Sequence, residues 1–120
     1  MKCVAIVVGH TANKGGAKND NFNINEFQFN NELAMMIAHD LMLSDVRPVI
    51  VYRSTYSDLP EHVNDTKADL CVSLHCNAFD KVSHGSEVLY FRGSKKGLDL
   101  AESIQARVVN TLRSKDRGCK

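Results

Sequence analysis

Val4 to Val8 is an unbroken, largely β-branched apolar run that stops at Gly9, the pattern of a strand buried on both faces. Residues 11–24 (TANKGGAKNDNFNI) are rich in Asn, Gly and Lys and read as a loop. A helix follows, opened by Asn25 and Gln28 at capping-box spacing. Phe29, Leu33, Met36, Ile37 and Leu41 then recur at helical spacing to about Ser44. PVIVYR (48–53) predicts a second strand with proline at its first position, where the missing N–H is tolerated. Leu59 to Thr66 predicts a short helix with Asp58 as N-cap. DLCVSLH (69–75) and GSEVLYFR (85–92) predict two more strands. Leu98, Ala101, Ile104, Val108 and Leu112 then mark one stripe of a last helix.

The order β, α, β, α, β, β, α predicts a layered α/β domain with a mostly parallel central sheet and helices on both faces. In such sheets, sites form outside the carboxyl ends of the strands. His10 lies just past the first strand and His75 ends the third. Glu26, Asn30, Leu33, Ile37 and Leu41 share one helix face by helical steps, and the last three are apolar. That stripe must face the sheet, so Glu26 sits on it at the helix N-terminus, beside the strand ends. Two imidazoles and one carboxylate form a ligand set typical of catalytic zinc, with a fourth position open for water.

Each signal alone has an ordinary explanation. A histidine after a strand is commonly a hydrogen-bonded loop residue. An acidic residue in a first helical turn is commonly a favourable charge at the dipole. His39 and His62 fall in helical stretches without partners and read as surface residues; His84, before Gly85, reads as a loop residue close enough to the site to touch substrate. The loop GHTANKGG lacks the GK[ST] ending of a phosphate loop, which argues against nucleotide binding.

Composition narrows the field further. A chain of 120 residues fits one domain. Its formal charge of +1 gives no footprint for nucleic acid or for a membrane surface. No apolar stretch approaches the roughly 20 residues of a membrane helix. Cys3, Cys71, Cys76 and Cys119 show no CxxC pair. Cys3 and Cys71 fall in strand-like runs and read as reduced, buried thiols. Nothing marks an obligate interface, and a monomer is expected.

Several segments together resemble a known family. VVGH with its glycine-rich loop, NEFQFN opening a helix, VYRS, ADLCVSLHCNA and GSEVLYF follow in order over nearly the whole chain. They resemble the zinc-dependent N-acetylmuramoyl-L-alanine amidases of the Amidase_3 type. Ser73-Leu74-His75-Cys76-Asn77-Ala78 is similar to the family's S-x-H-x-N-A signature, and Glu26 to Asn30 fits its E-x-x-x-N helix start. The resemblance implies a three-layer α/β/α fold of the phosphorylase/hydrolase-like kind. It also implies one zinc ion on His10, Glu26 and His75, and cleavage of the peptidoglycan amide between N-acetylmuramic acid and L-alanine. Asn30 and Asn77 become candidates for orienting the ligands or touching substrate. Arg53 falls where the family often has Thr-Arg, but Tyr52 precedes it here, so it reads as a structural or rim residue.

One departure stands out. The family carries a further glutamate, its general base and acid, at the end of a later strand, and no such segment appears in these residues. Glu32, Glu61, Glu87 and Glu102 do not match that position. Ser114 to Lys120 resembles the linker ahead of it, so the catalytic glutamate is expected beyond Lys120, in a chain truncated at its C-terminal end. The rival reading is a domain that binds zinc or peptidoglycan without turnover. MKCVAIVV is too short for a signal peptide. The expectation is therefore a phage-type endolysin, cytoplasmic until lysis releases it to the wall, or a secreted protein if a precursor was trimmed.

Overall fold

The computed structural model describes residues 1–76 and 84–120. It divides into two compact units, Met1–Ala78 and Phe79–Lys120. The first unit is built on β1 (Cys3–Val8), followed by a two-residue pair, β2 (Lys18–Asn19) and β3 (Ile24–Asn25). Helix α1 (Glu26–Leu43), β4 (Arg47–Tyr52), α2 (Leu59–Asp65) and β5 (Leu70–Leu74) complete it.

β1 is central, with β4 and β5 parallel on either side of it. Its residues alternate between two apolar layers, as the pleat requires. Ala5 and Val7 join Val51 on one face, against Leu59 and Val63 of α2. Ile6 and Val8 join Ala34 on the other, against Phe27, Ile37 and Leu41 of α1. These are the predicted three layers, with the all-apolar VAIVV run accounted for by burial on both sides.

The predicted capping box forms. Asn25 Oδ1 accepts the Gln28 N–H at 2.8 Å, and Gln28 Oε1 accepts the Asn25 N–H at 2.9 Å. The predicted face meets the sheet, with Glu26 and Asn30 buried and Ile37 and Leu41 packed on Ile6 and Val8, and Ala34 rather than Leu33 is the fully buried residue between them. Glu26, Asn30 and Ala34 are the buried residues of α1, while Phe29 and Met36 are 50% and 66% exposed. A small alanine lets the helix approach the sheet closely, and its larger neighbours turn outward. The segment predicted as plain loop contains the β2–β3 hairpin. Asp58 makes no side-chain cap bond; its own N–H donates to Thr55 Oγ1 at 3.2 Å. Cys3 is buried as expected, but Cys71 is exposed. Among the described residues β5 ends the order β4-β1-β5, and its residues, Cys71 among them, pair with β1 on one side only. All four cysteines are free thiols.

The second unit contains β6 (Ser86–Val88), α3 (Lys95–Leu112) and β7 (Asp116–Cys119). β6 is shorter than the predicted 85–92 strand, because the chain turns at 91–94, where the Ser94 N–H donates to the Phe91 carbonyl. Helix α3 begins earlier than predicted, capped by Ser94 Oγ, which accepts the Gly97 N–H at 2.9 Å. The tail expected as a linker is instead strand β7, parallel to β6. Its charged residues hid the strand, because they pair across it. Lys120 and Arg117 both reach the Glu87 carboxylate. Buried Gln105 of α3 donates to the Ser86 carbonyl at 2.6 Å and to Asp116 Oδ1 at 2.7 Å, tying helix to both strands.

Candidate metal centre

His10 follows Gly9 out of β1 with φ of 65°, a left-handed turn that histidine adopts more readily than most residues. The turn swings the imidazole toward the start of α1. Gly9 is required here: its N–H donates to the Leu74 carbonyl at 3.0 Å, and a Cβ would lie 2.3 Å from that oxygen. β1 and β5 are thereby locked together at their carboxyl ends, which carry His10 and His75.

Glu26 is the first residue of α1 and only 4% exposed. Its carboxylate is held from both sides. Oε1 accepts the Cys76 N–H at 2.6 Å and lies 3.4 Å from His75 Nδ1. Oε2 accepts the Ala17 N–H at 3.5 Å and lies 2.9 Å from His10 Nε2. Each oxygen thus has one backbone donor and one imidazole. The imidazole rings meet edge to face, 5.6 Å apart at 74°. The loop is anchored in turn, since the Glu26 and Phe27 N–H groups donate to the Ala17 and Gly15 carbonyls at 2.7 and 2.9 Å.

One ligand atom from each of His10, Glu26 and His75 lies within 4.8 Å of the others. Tetrahedral zinc bonds of about 2.0–2.1 Å imply ligand separations of about 3.3 Å. The carboxylate–imidazole distances of 2.9 and 3.4 Å straddle that value. Burial of a carboxylate is costly unless its charge is compensated. The donor set and its spacing therefore fit a divalent metal of the zinc type.

Asn30, 1% exposed, sits one helical turn behind Glu26. Its Nδ2 donates to the Leu74 carbonyl at 3.1 Å, the same oxygen that Gly9 engages. It positions the end of β5 rather than facing the cluster. Cys76 Sγ points to Asn30 Oδ1 at 3.8 Å. Burial first, and then the Glu26 carboxylate, push that thiol's pKa up, so it stays protonated at neutral pH. Asn77 lies outside the described residues. His84 is exposed and belongs to the second unit. His39 and His62 are exposed on α1 and α2, as expected. What the sequence left unread is the backbone contribution from Ala17 and Cys76; a backbone donor has no side-chain signature.

A buried carboxylate and two imidazoles at the carboxyl edge of a parallel α/β sheet form a cluster able to hold a metal ion. Residues 4–120 match the Amidase_3 family, N-acetylmuramoyl-L-alanine amidase, and the chain belongs to that family. It is 35% identical over 105 residues to the N-acetylmuramoyl-L-alanine amidase LytC of Bacillus subtilis, covering 79% of this chain and 21% of LytC. The chain therefore spans about a fifth of that curated relative. Its fold matches the N-acetylmuramoyl-L-alanine amidase of Clostridium difficile with a TM-score of 0.88 at 27% identity, covering 98% of this chain and 68% of that one. It also matches the catalytic domain of an endolysin targeting Clostridia difficile, with a TM-score of 0.81 at 29% identity, covering all of this chain and 70% of that domain.

Proposed function

We propose that this chain carries the zinc-binding centre of a peptidoglycan amidase that cleaves the bond between N-acetylmuramic acid and L-alanine. The observation that carries the reading is the convergence of His10, Glu26 and His75 in a chain of the Amidase_3 family. Zinc held by His10, Glu26 and His75 would supply Lewis-acid chemistry for amide hydrolysis. The chain's own residues supply placement. Glu26 and the two imidazoles hold the ion, and the Ala17 and Cys76 amides fix both carboxylate oxygens so that they do not swing with substrate. Asn30 and Gly9 fix Leu74, and with it the backbone that presents His75. The likeness to an endolysin catalytic domain favours action at the wall on lysis.

A second reading, a domain that binds zinc and wall without turnover, is favoured by one observation. Glu26 is the one carboxylate in the cluster among the described residues. Glu87 is engaged by Lys120 and Arg117, and Glu32, Glu61 and Glu102 are exposed. Metal analysis of the purified chain should give about one zinc per chain. Glu26→Ala and His75→Ala should each lose it, and retention in both would sink the site. Turbidity loss on purified peptidoglycan then separates the two readings: clearing supports the amidase, and a flat trace with zinc bound supports the binder.

A further inference from the structure

At the carboxyl edge of the sheet, β4 ends beside β1. Val8 pairs with Tyr52, so one further step along the register sets Arg53 level with Gly9, the residue before His10. Neighbouring strands lie about 5 Å apart, so a cationic side chain is rooted one strand away from the metal ligands. Alternation sends the two neighbours apart. Tyr52 turns to α1, where its hydroxyl donates to Asn31 Oδ1 at 2.6 Å. Arg53 turns to the α2 side, where its Cζ lies 3.9 Å from the centroid of the Tyr56 ring. The turn bearing Tyr56 is braced by a Thr55–Ser57 hydroxyl contact at 3.2 Å and by the bond from the Asp58 N–H to Thr55 Oγ1.

This guanidinium has no carboxylate partner among the described residues. Stacking on an aromatic face holds the planar fork in one orientation while leaving its N–H edge open, the arrangement suited to bidentate carboxylate recognition. A peptide extending from the cluster across the β1–β4 edge advances about 3.3–3.6 Å per residue. Its first two residues therefore span the distance from one strand to the next.

Resting on the amidase reading above, we propose that Arg53, stacked on Tyr56, binds a carboxylate on the peptide side of the substrate. It makes this protein prefer acidic over amidated stem peptides. The residue is a specificity determinant and takes no part in bond cleavage.

The test uses the product peptide, which cannot be hydrolysed further. The isotope-labelled chain is titrated with L-alanyl-D-glutamate and, separately, with its fully amidated counterpart, reading Kd from amide shifts. The wild type should bind the acid about tenfold more tightly, in line with one charge-assisted hydrogen-bond pair at a half-buried arginine. Arg53→Gln should bring the acid to the affinity of the amide, and Tyr56→Leu should narrow the gap. An unchanged acid-to-amide ratio in Arg53→Gln, or no acid preference in the wild type, overturns the proposal. Either result leaves zinc content and wall clearing to decide the amidase reading separately.

Discussion

Gly16 offers the sharpest test of how tightly the loop defines the metal centre. It adopts φ of +77°, and a Cβ there would lie 2.6 Å from His10 Cδ2 and 2.7 Å from Glu26 Oε2. Ordinary contact begins at 3.4 Å, so Gly16→Ala must displace the imidazole and the carboxylate by about 0.7 Å, beyond the roughly 0.5 Å tolerance of a preorganised site. Neither group moves freely. The carboxylate would have to loosen the Ala17 and Cys76 amide bonds that hold it. The left-handed backbone adds about 1–2 kcal/mol of strain for any residue with a Cβ. Gly93 separates the two effects, because its φ is +87° yet a methyl group there would meet nothing within 4 Å. Both Gly16→Ala and Gly93→Ala should therefore lose a few degrees of melting temperature, about 4–8 °C per kcal/mol. Only Gly16→Ala should weaken zinc, by about 10–100-fold as for other losses of ligand support. Chelator competition measures the affinity and thermal unfolding of the metal-free chains measures the strain. Wild-type zinc affinity in Gly16→Ala would refute the steric argument.

Two further outcomes follow from buried or paired polar groups. Asn30→Ala removes a donor to the Leu74 carbonyl, which keeps the Gly9 N–H; denaturant unfolding should show a loss of about 1–3 kcal/mol. Asn30→Asp should be worse, because a second buried carboxylate would stand one helical turn from Glu26, and equal losses in the two variants would argue against that placement. Asp116 is held below the usual carboxylate range, first by the Gln105 side chain and then by the Gly118 N–H. A depressed folded-state pKa contributes stability that is present above about pH 4 and lost as pH falls through the folded value. The stability gap between wild type and Asp116→Asn, followed by denaturation across acid pH, should shrink on acidification; a constant gap would contradict the assignment.

The parts of the fold that could be read from sequence are those where burial leaves a pattern. The VAIVV run announced a strand covered on both faces, and the Asn25–Gln28 spacing announced the start of α1. Strand β7 had no such pattern. Its residues, DRGC, are held by backbone pairing to β6 and by cross-strand charges to Glu87, neither of which shows as alternation. On α1 the predicted face holds, and one contact residue on it was missed for a related reason. Periodicity cannot distinguish Leu33 from Ala34 as the contact residue, because close helix–sheet approach rewards the smaller side chain. Cys71 looked buried because its neighbours are apolar, whereas the strand that ends the described order lacks a neighbour on its outer edge.

The metal centre was more legible than the fold around it, and the cause is topological. His10, Glu26 and His75 each stand at an element boundary, and parallel α/β connectivity brings strand ends and helix starts to the same edge. Residue type and boundary position were enough to bring together the three residues of the proposed centre. Their rigidity was invisible, since it comes from the Ala17 and Cys76 amides and from the Leu74 carbonyl shared by Gly9 and Asn30. Those same bonds close the hairpin loop onto α1 and the end of β5 onto β1. Ligand placement and fold closure are therefore one network, anchored on a single buried carboxylate. On the proposed reading a substitution at Glu26 removes a metal ligand and unpairs two backbone donors at once, so metal affinity and stability at this edge of the sheet should fall together.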